Sequence, residues 1–118
     1  MTSTKRILIV EDEPLISMVL EDFLDALDHQ VAGTADCVAA ALAQIDDGAA
    51  PDAAILDVNL RDGEQSWPVA EALAERSIPF ILATGGPGDS VPEQWRDRPV
   101  LAKPFTIDSV GKALDSLG

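Results

Sequence analysis

The sequence lacks several features on which whole classes of proteins depend. Cys37 is the only cysteine, so the chain can form neither an internal disulfide nor a cysteine-based zinc site, and we expect this residue to be a small buried apolar side chain. The longest apolar runs, such as residues 7–10 and 78–83, are far shorter than the roughly 20 residues that a membrane-spanning helix needs. The polar residues 1–6 carry no apolar signal segment. We therefore expect a cytoplasmic protein without a membrane span.

Positive charge is also scarce. Eight Lys and Arg residues stand against 21 Asp and Glu residues, which gives a formal net charge of -13. Such a chain repels a phosphate backbone, so direct binding of nucleic acid is not expected. Much of this charge is typical of a solvated surface, and the informative acids are those that lie beside predicted strands.

The 118 residues, 47% of them hydrophobic, are enough for one core, and we predict a single domain over residues 1–118. Continuous apolar runs of this kind are typical of strands that are buried on both faces of a parallel sheet. The predicted strands span residues 5–10, 31–33, 52–57, 79–84 and 100–102.

Helical periodicity separates most of these strands. Apolar residues recur at helical spacing after Pro14, after Asp36, after Ser66 and after Thr106, and the last three can cap their helices. His29 follows the first helix and is expected to be solvated. Residues 89–99 contain two prolines and little apolar period, so we expect a loop or one broken turn there. The predicted fold is α/β, a (βα)5 doubly wound five-stranded parallel sheet whose fourth helix is irregular or missing.

Polar side chains occur where four of the predicted strands end. Glu11 and Asp12 follow the first strand, and Asp57 ends the third. Thr84 ends the fourth strand and Lys103 follows the fifth. Because the carboxyl ends of parallel strands meet at one edge of a sheet, these side chains should lie close together. Three neighbouring carboxylates repel each other, and a hard divalent cation such as Mg²⁺ removes that cost.

The same group of residues suggests phosphoryl chemistry. An aspartate can accept a phosphoryl group as an acyl phosphate, and Asp57 is the best placed to do so. Lys103 would pair with the phosphoryl oxygens, and the Thr84 hydroxyl would bond another. Taken singly, these residues are more often helix caps, turn residues or solvated loop residues. Their joint occurrence at strand ends favours the functional interpretation.

The strings ILIVEDE, AAILDVNL, FILATG and LAKPF resemble the receiver domains of two-component response regulators, and the resemblance covers nearly the whole chain. It implies a flavodoxin-like (βα)5 fold in which Asp57 takes phosphate from the phosphohistidine of a histidine kinase or phosphotransfer protein. It also implies that Glu11, Asp12, Asp57 and the backbone carbonyl of Asn59 hold Mg²⁺.

By the same resemblance, Thr84 matches the signalling hydroxyl, Lys103 matches the phosphate-contacting lysine, and the bond between Lys103 and Pro104 is expected to be cis. The motif PFILATGG is similar to that of the receiver subgroup nicknamed "FAT GUY", which includes stand-alone receivers. Two positions depart from the usual patterns. Val100 stands where many receivers carry an aromatic switch residue, and Gly86 stands where the nickname expects tyrosine. We therefore take residues 85–99 as the candidate moving element and, together with the last helix, as the candidate partner surface.

The resulting prediction is a phosphoacceptor that catalyses only its own phosphorylation and dephosphorylation. With no output domain expected, it would signal by protein contact or act as a phosphate carrier or sink. One alternative is a pseudo-receiver that is a docking module and is never phosphorylated. Another is an aspartyl-phosphate hydrolase, but that class would want an acid two residues beyond Asp57, where the sequence has Asn59.

Overall fold

The computed structural model describes residues 4–46, 50–60, 63–85, 91–103 and 105–117. Its strands are β1 (Arg6–Val10), β2 (Gln30–Ala35), β3 (Ala53–Asp57), β4 (Phe80–Thr84) and β5 (Val100–Ala102). Its α-helices are α1 (Pro14–Ala26), α2 (Val38–Asp46), α3 (Trp67–Glu75) and α4 (Ile107–Asp115). A short 3₁₀ turn at Glu93–Trp95 lies between β4 and β5.

The five strands form one sheet in the order β2-β1-β3-β4-β5, and every neighbouring pair is parallel. The chain order reverses between β1 and β3, so the carboxyl ends of these two strands border the topological switch point, where ligands of doubly wound sheets bind. The predicted α/β fold is therefore confirmed. In the described part of the 89–99 segment, the 3₁₀ turn is the helical structure between β4 and β5, in agreement with the predicted broken turn.

Alternate residues of the strands face two separate cores, as expected for a sheet that is covered on both sides. One core joins Ile7, Ile9, Ile55 and Ile81 to the inner faces of α1 and α4. The other core joins side chains of the opposite parity, such as those of Leu8, Leu56 and Leu82, to α2, α3 and Trp95. This packing fixes the position of each helix relative to the carboxyl edge of the sheet.

The predictions at helix ends had mixed outcomes. Thr106 caps α4 as predicted, and its hydroxyl accepts a hydrogen bond from the Ser109 N–H at 3.0 Å. Ser66 precedes α3, but its side chain makes no cap hydrogen bond and donates instead to the Val58 carbonyl at 3.4 Å. This serine is completely buried, and its hydroxyl finds a partner in the loop that follows β3.

The expectation of a solvated His29 is wrong. Asp28 ends the turn after α1 in the left-handed region at φ 65°, which directs the next residue back toward the sheet. His29 is consequently only 7% exposed, and its Nδ1 accepts a hydrogen bond from the Lys5 N–H at 3.0 Å. The histidine therefore fastens the beginning of β1 to the end of α1. Among the described residues, no helix has the length and apolar character needed to cross a membrane.

Candidate functional site

Strand register brings the predicted site residues to one edge of the sheet. Val10 lies opposite Leu56, and Asp57 lies opposite Ala83. The backbone N–H of Lys103 donates to the Thr84 carbonyl at 2.9 Å, which continues the β4–β5 pairing by one residue. Backbone hydrogen bonds therefore determine the positions of these residues, and the site does not depend on the conformation of a long loop.

Three carboxyl groups form a compact cluster at this edge. Glu11, Asp12 and Asp57 each offer a ligand oxygen, and these oxygens all lie within 4.8 Å of one another. Glu11 is 5% exposed and Asp57 is 4% exposed, while Asp12 is partly exposed. An all-oxygen donor set with one side open to solvent suits a small hard cation that keeps some of its waters. The residues present therefore fit a magnesium ion.

Lys103 reaches the centre of this cluster. Its Nζ lies 2.9 Å from Glu11 Oε1 and 2.9 Å from Asp57 Oδ2. The lysine side chain is 21% exposed, so its ammonium group can contact both the buried carboxylates and a group that enters from solvent. A mobile point charge of this kind can neutralise either the carboxylates or a phosphoryl group.

Burial and the nearby Asp57 change the protonation of Glu11. Burial, followed by its hydrogen bond and charge interaction with Asp57, raises the pKa of Glu11 to about 8, although Lys103 opposes the change. Burial tends to lower the pKa of Lys103, but hydrogen bonds to Glu11 and Asp57 outweigh it and raise the value above 10.5. Without a divalent cation, the cluster therefore favours a proton on Glu11 and keeps Lys103 charged.

Backbone amides at the start of α1 fix the Glu11 carboxylate. The Asp12 N–H donates to Glu11 Oε2 at 2.9 Å, and the Glu13 N–H is 3.5 Å from the same oxygen. The Glu11 N–H donates to the Ala35 carbonyl at the end of β2. Glu13 occupies the N-cap position of α1, but its side chain makes no cap hydrogen bond. The carboxylate that accepts backbone N–H groups at this turn is that of Glu11.

The loop after β3 is folded back on itself. The Asn59 N–H donates to Asp57 Oδ1 at 3.3 Å, and Asn59 forms an isolated antiparallel bridge with Gln65. Glu64 binds the start of α2, because its Oε1 accepts the Val38 N–H at 2.8 Å. Both oxygens of Asp57 therefore have partners, since Oδ1 faces Asn59 and Oδ2 faces Lys103.

Thr84 is 8% exposed at the end of β4. Its hydroxyl makes no hydrogen bond with another residue of the described ranges, so it is able to bind a group that enters the site. Val100 is 51% exposed on β5, so its side chain is not packed inward in this structure. Gly86 and the bond from Lys103 to Pro104 lie outside the described residues.

Sequence reasoning missed a cavity beside this cluster. It has a volume of about 480 Å³ and is lined in part by Ser17, Glu21 and Asp36, as well as by Glu11 and Asp12. The sequence did contain a signal for this cavity, because Ser17 and Glu21 are four positions apart on α1 and therefore lie on one face of that helix. Asp36 was considered only as a helix cap.

The sheet order and the acid and lysine cluster at its carboxyl edge define an α/β signalling domain of the receiver class. The chain belongs to the response regulator receiver domain family, whose model matches residues 7–115. It is 34% identical over 111 residues to the phyllosphere-induced regulator PhyR of Methylorubrum extorquens, covering 92% of this chain and 41% of that protein. It is 31% identical over 118 residues to the transcriptional regulatory protein PdtaR of Mycobacterium tuberculosis, covering 94% of this chain and 55% of that protein. The chain thus spans about half the length of these curated relatives.

Solved structures resemble the chain over nearly its whole length. The solution structure of SdrG from Sphingomonas melonis Fr1 has 65% sequence identity and a TM-score of 0.88, and the match covers 99% of this chain and 98% of that one. The beryllofluoride-activated conformation of SdrG matches over the same shares, with 65% identity and a TM-score of 0.83. The receiver domain of Erythrobacter litoralis PhyR has 29% identity and a TM-score of 0.78, covering 97% of this chain and 89% of that one.

Proposed function

We propose that this receiver domain is a phosphorylation switch in a two-component phosphorelay and that Asp57 is its phosphoacceptor. The observation that carries the proposal is the contact of Lys103 Nζ with Asp57 Oδ2 inside a cluster of three carboxyl groups. A structural ion pair needs one carboxylate, and a second buried acid adds repulsion without adding stability. The additional acids would have a role if a cation and a phosphoryl group bound there, because the acids would hold the cation.

In the proposed reaction, a carboxylate oxygen of Asp57 attacks the phosphorus of a phosphohistidine on a histidine kinase or phosphotransfer protein. The new P–O bond forms as the P–N bond breaks, and the leaving imidazole nitrogen keeps the electron pair. Glu11, Asp12, Asp57 and the Asn59 carbonyl would hold Mg²⁺, which supplies charge neutralisation for the phosphoryl oxygens.

The side chains of this chain have separate roles in that proposal. Lys103 would shift from Glu11 toward the phosphoryl oxygens, since its ammonium already lies between the two carboxylates. The Thr84 hydroxyl would bond a further phosphoryl oxygen, which would link phosphorylation to the end of β4. Asn59 in the position two residues beyond Asp57 supplies no carboxylic acid, which disfavours a hydrolase of external phosphate esters.

The relatives support the same assignment. SdrG, with 65% identity, has a beryllofluoride-activated conformation, and beryllofluoride imitates a phosphoryl group bound to a carboxylate. The output of this chain would be a protein contact or onward phosphotransfer, within the cytoplasm, and residues 1–118 would act as one receiver unit.

Intact mass spectrometry after incubation with acetyl phosphate and MgCl₂ tests the proposal. The expected result is one phosphoryl adduct on the wild type, which is lost in Asp57→Asn and in EDTA. Asp22→Asn is the matched control, because Asp22 is exposed on α1, and this variant should gain the adduct at the wild-type rate. An unmodified wild-type protein would indicate a docking module, and sustained turnover of an external phosphate ester would indicate a hydrolase. Either result would overturn the proposal.

A further inference from the structure

A tight hairpin, residues 58–66, follows β3. The Leu60 N–H donates to the Glu64 carbonyl at 2.7 Å, and the Ser66 N–H donates to the Val58 carbonyl at 3.2 Å. Each arm of the hairpin therefore contributes one donor and one acceptor to the pairing, and backbone bonds hold the two arms together.

This hairpin determines the direction of the Asn59 carbonyl. Asn59 lies opposite Gln65 in an isolated antiparallel bridge, and the two hydrogen bonds of the hairpin are made by the residues on either side of this pair. In such a pair, the N–H and C=O groups of each residue point away from the opposite arm. The Asn59 N–H accordingly donates to Asp57 Oδ1 at 3.3 Å. The Asn59 carbonyl is therefore directed to the side on which Asp57 lies.

The side chain of Glu64 connects the hairpin to α2. Its Oε1 accepts the N–H of Val38, the first residue of α2, at 2.8 Å. The amides of a first helical turn have no partner within the helix, and a carboxylate is favourable at that positively polarised end. Leu60 lies in the core against which Val38 packs. Glu64 thus bonds the hairpin through its backbone carbonyl and α2 through its carboxylate.

The connection between β2 and α2 is also bonded to the segment that follows β1. Ala35 ends β2, and its carbonyl accepts the Glu11 N–H at 2.9 Å. Ala35 therefore bonds this connection to the segment after β1, and Glu64 bonds it to the hairpin after β3. Since β1 and β3 are neighbours in the sheet, these bonds link the two segments that carry the proposed metal ligands.

We propose that Glu64 is a positioning residue for the magnesium site, because its bond to Val38 holds the hairpin where the Asn59 carbonyl can bind the ion. This inference rests on the proposed function, since it uses the ligands assigned there. Without the bond, the hairpin samples other positions, and the affinity for magnesium falls with the fraction of molecules that are competent to bind it. Glu64 acts through the hairpin backbone and is not itself proposed as a ligand.

Two substitutions of Glu64 separate this positioning role from the charge of its side chain. Glu64 is exposed, and an exposed carboxylate attracts a cation weakly through its charge alone. Glu64→Gln removes that charge but keeps a side-chain oxygen that can accept the Val38 N–H, whereas Glu64→Ala removes both. A positioning role therefore predicts that the glutamine variant keeps the magnesium affinity and that the alanine variant loses part of it.

NMR titration of ¹⁵N-labelled protein with MgCl₂ measures this affinity. We expect Glu64→Ala to weaken binding about fivefold, which is less than the roughly 10- to 100-fold loss for a group that bonds a metal ligand directly. Glu64→Gln should bind within about twofold of the wild type, because it loses only an exposed charge. Glu75→Ala, which removes an exposed acid on α3, is the control for net charge and should bind like the wild type.

Gly63→Ala perturbs the same hairpin without altering Glu64. Gly63 lies in the left-handed region at φ 73°, where alanine is strained. The substitution should distort the turn and weaken magnesium binding in the same direction as Glu64→Ala. The remainder of each variant's spectrum reports whether the protein has kept its fold.

Several results would overturn the inference. One is a Glu64→Ala variant that binds magnesium like the wild type, and another is equal weakening in Glu64→Gln, which would assign the effect to charge. An unchanged affinity in Gly63→Ala, or a wild type without magnesium-dependent shifts, would overturn it as well. Failure of the proposed function would look different, because the wild type would bind magnesium but gain no phosphoryl adduct from acetyl phosphate. The affinities of the variants would then still test the role of Glu64.

Discussion

Lys103 Nζ lies 2.9 Å from Asp57 Oδ2, although the two residues are separated by 46 positions in the chain. The contact exists because β3 and β5 both pair with β4. The Lys103 N–H continues that pairing to the Thr84 carbonyl. The sheet therefore positions the ammonium group of Lys103 against the carboxylate of the proposed phosphoacceptor.

Replacement of Lys103 by methionine should slow phosphorylation without removing the metal ligands. Methionine keeps most of the side-chain volume but removes the charge that the proposal assigns to the phosphoryl oxygens. We expect the rate of adduct formation with acetyl phosphate to fall on the order of 10²-fold, as for the loss of one preorganised charge-stabilising group. Lys112→Met is the control, because Lys112 forms a 3.2 Å pair with Asp108 on the exposed face of α4. Equal rates for Lys103→Met and the wild type would contradict the assigned role.

The raised pKa of Glu11 predicts that the metal-free protein loses stability as the pH rises. The unfolded carboxyl has a pKa near 4.5, whereas burial and the nearby Asp57 raise the folded value to about 8. Between these values the folded state holds a proton that the unfolded state has released, so the free energy of unfolding decreases with increasing pH. This contribution is complete below pH 4.5 and is lost as the pH passes through about 8. Urea unfolding in EDTA at several pH values measures it, and Glu11→Gln should flatten the dependence.

The same protonation predicts how magnesium affinity changes with pH. A cation that binds the carboxylate of Glu11 must displace its proton, so below pH 8 the apparent affinity should rise about tenfold per pH unit if one proton is released. Calorimetry in buffers of different ionisation enthalpy counts the released protons. A pH-independent affinity with no proton release would show that Glu11 is already ionised in the metal-free protein.

The segment between β4 and β5 should owe much of its order to Trp95. The Trp95 ring packs edge-on against Phe80 with a centroid separation of 5.5 Å, and the Arg98 guanidinium lies 4.5 Å from the Phe80 ring centroid. Trp95→Ala should lower the free energy of unfolding by about 3 kcal/mol, because it leaves a cavity beside a fully buried ring. Val100→Ala, at a half-exposed position, should change it by no more than about 0.5 kcal/mol. Urea denaturation compares the two variants, and similar small losses would contradict the packing role.

Glu64 should stabilise the beginning of α2 from a distance in sequence. Its Oε1 accepts the Val38 N–H at 2.8 Å and so satisfies one of the free amides of the first helical turn. Glu64→Ala should cost about 1 kcal/mol, similar to the loss of a helix cap, and should accelerate hydrogen exchange of the Val38 amide. Glu75→Ala on the exposed face of α3 is the control. An unchanged Val38 exchange rate in Glu64→Ala would show that this bond contributes nothing in solution.

Local patterns in the sequence were sufficient to predict the strands and helices and the edge of the sheet at which the site forms. Apolar runs such as residues 7–10 are typical of strands buried on both faces of a parallel sheet, and the polar residues that end such strands lie at one edge. Thr106 caps α4 through Ser109, three residues away, so that hydrogen bond was also predictable from neighbouring residues. The irregular segment before β5 followed from its prolines for the same reason.

Only the tertiary structure determined the contacts between distant residues. The burial of His29 depends on the left-handed turn at Asp28 and on the start of β1. The position of Lys103 between Glu11 and Asp57 depends on strand order and register, and the cavity beside them exists because α1 and the segment after β2 meet there. Periodicity indicates which face of a helix or strand is buried. Distances across the fold depend on how the packed elements meet, so they cannot be predicted from a local pattern.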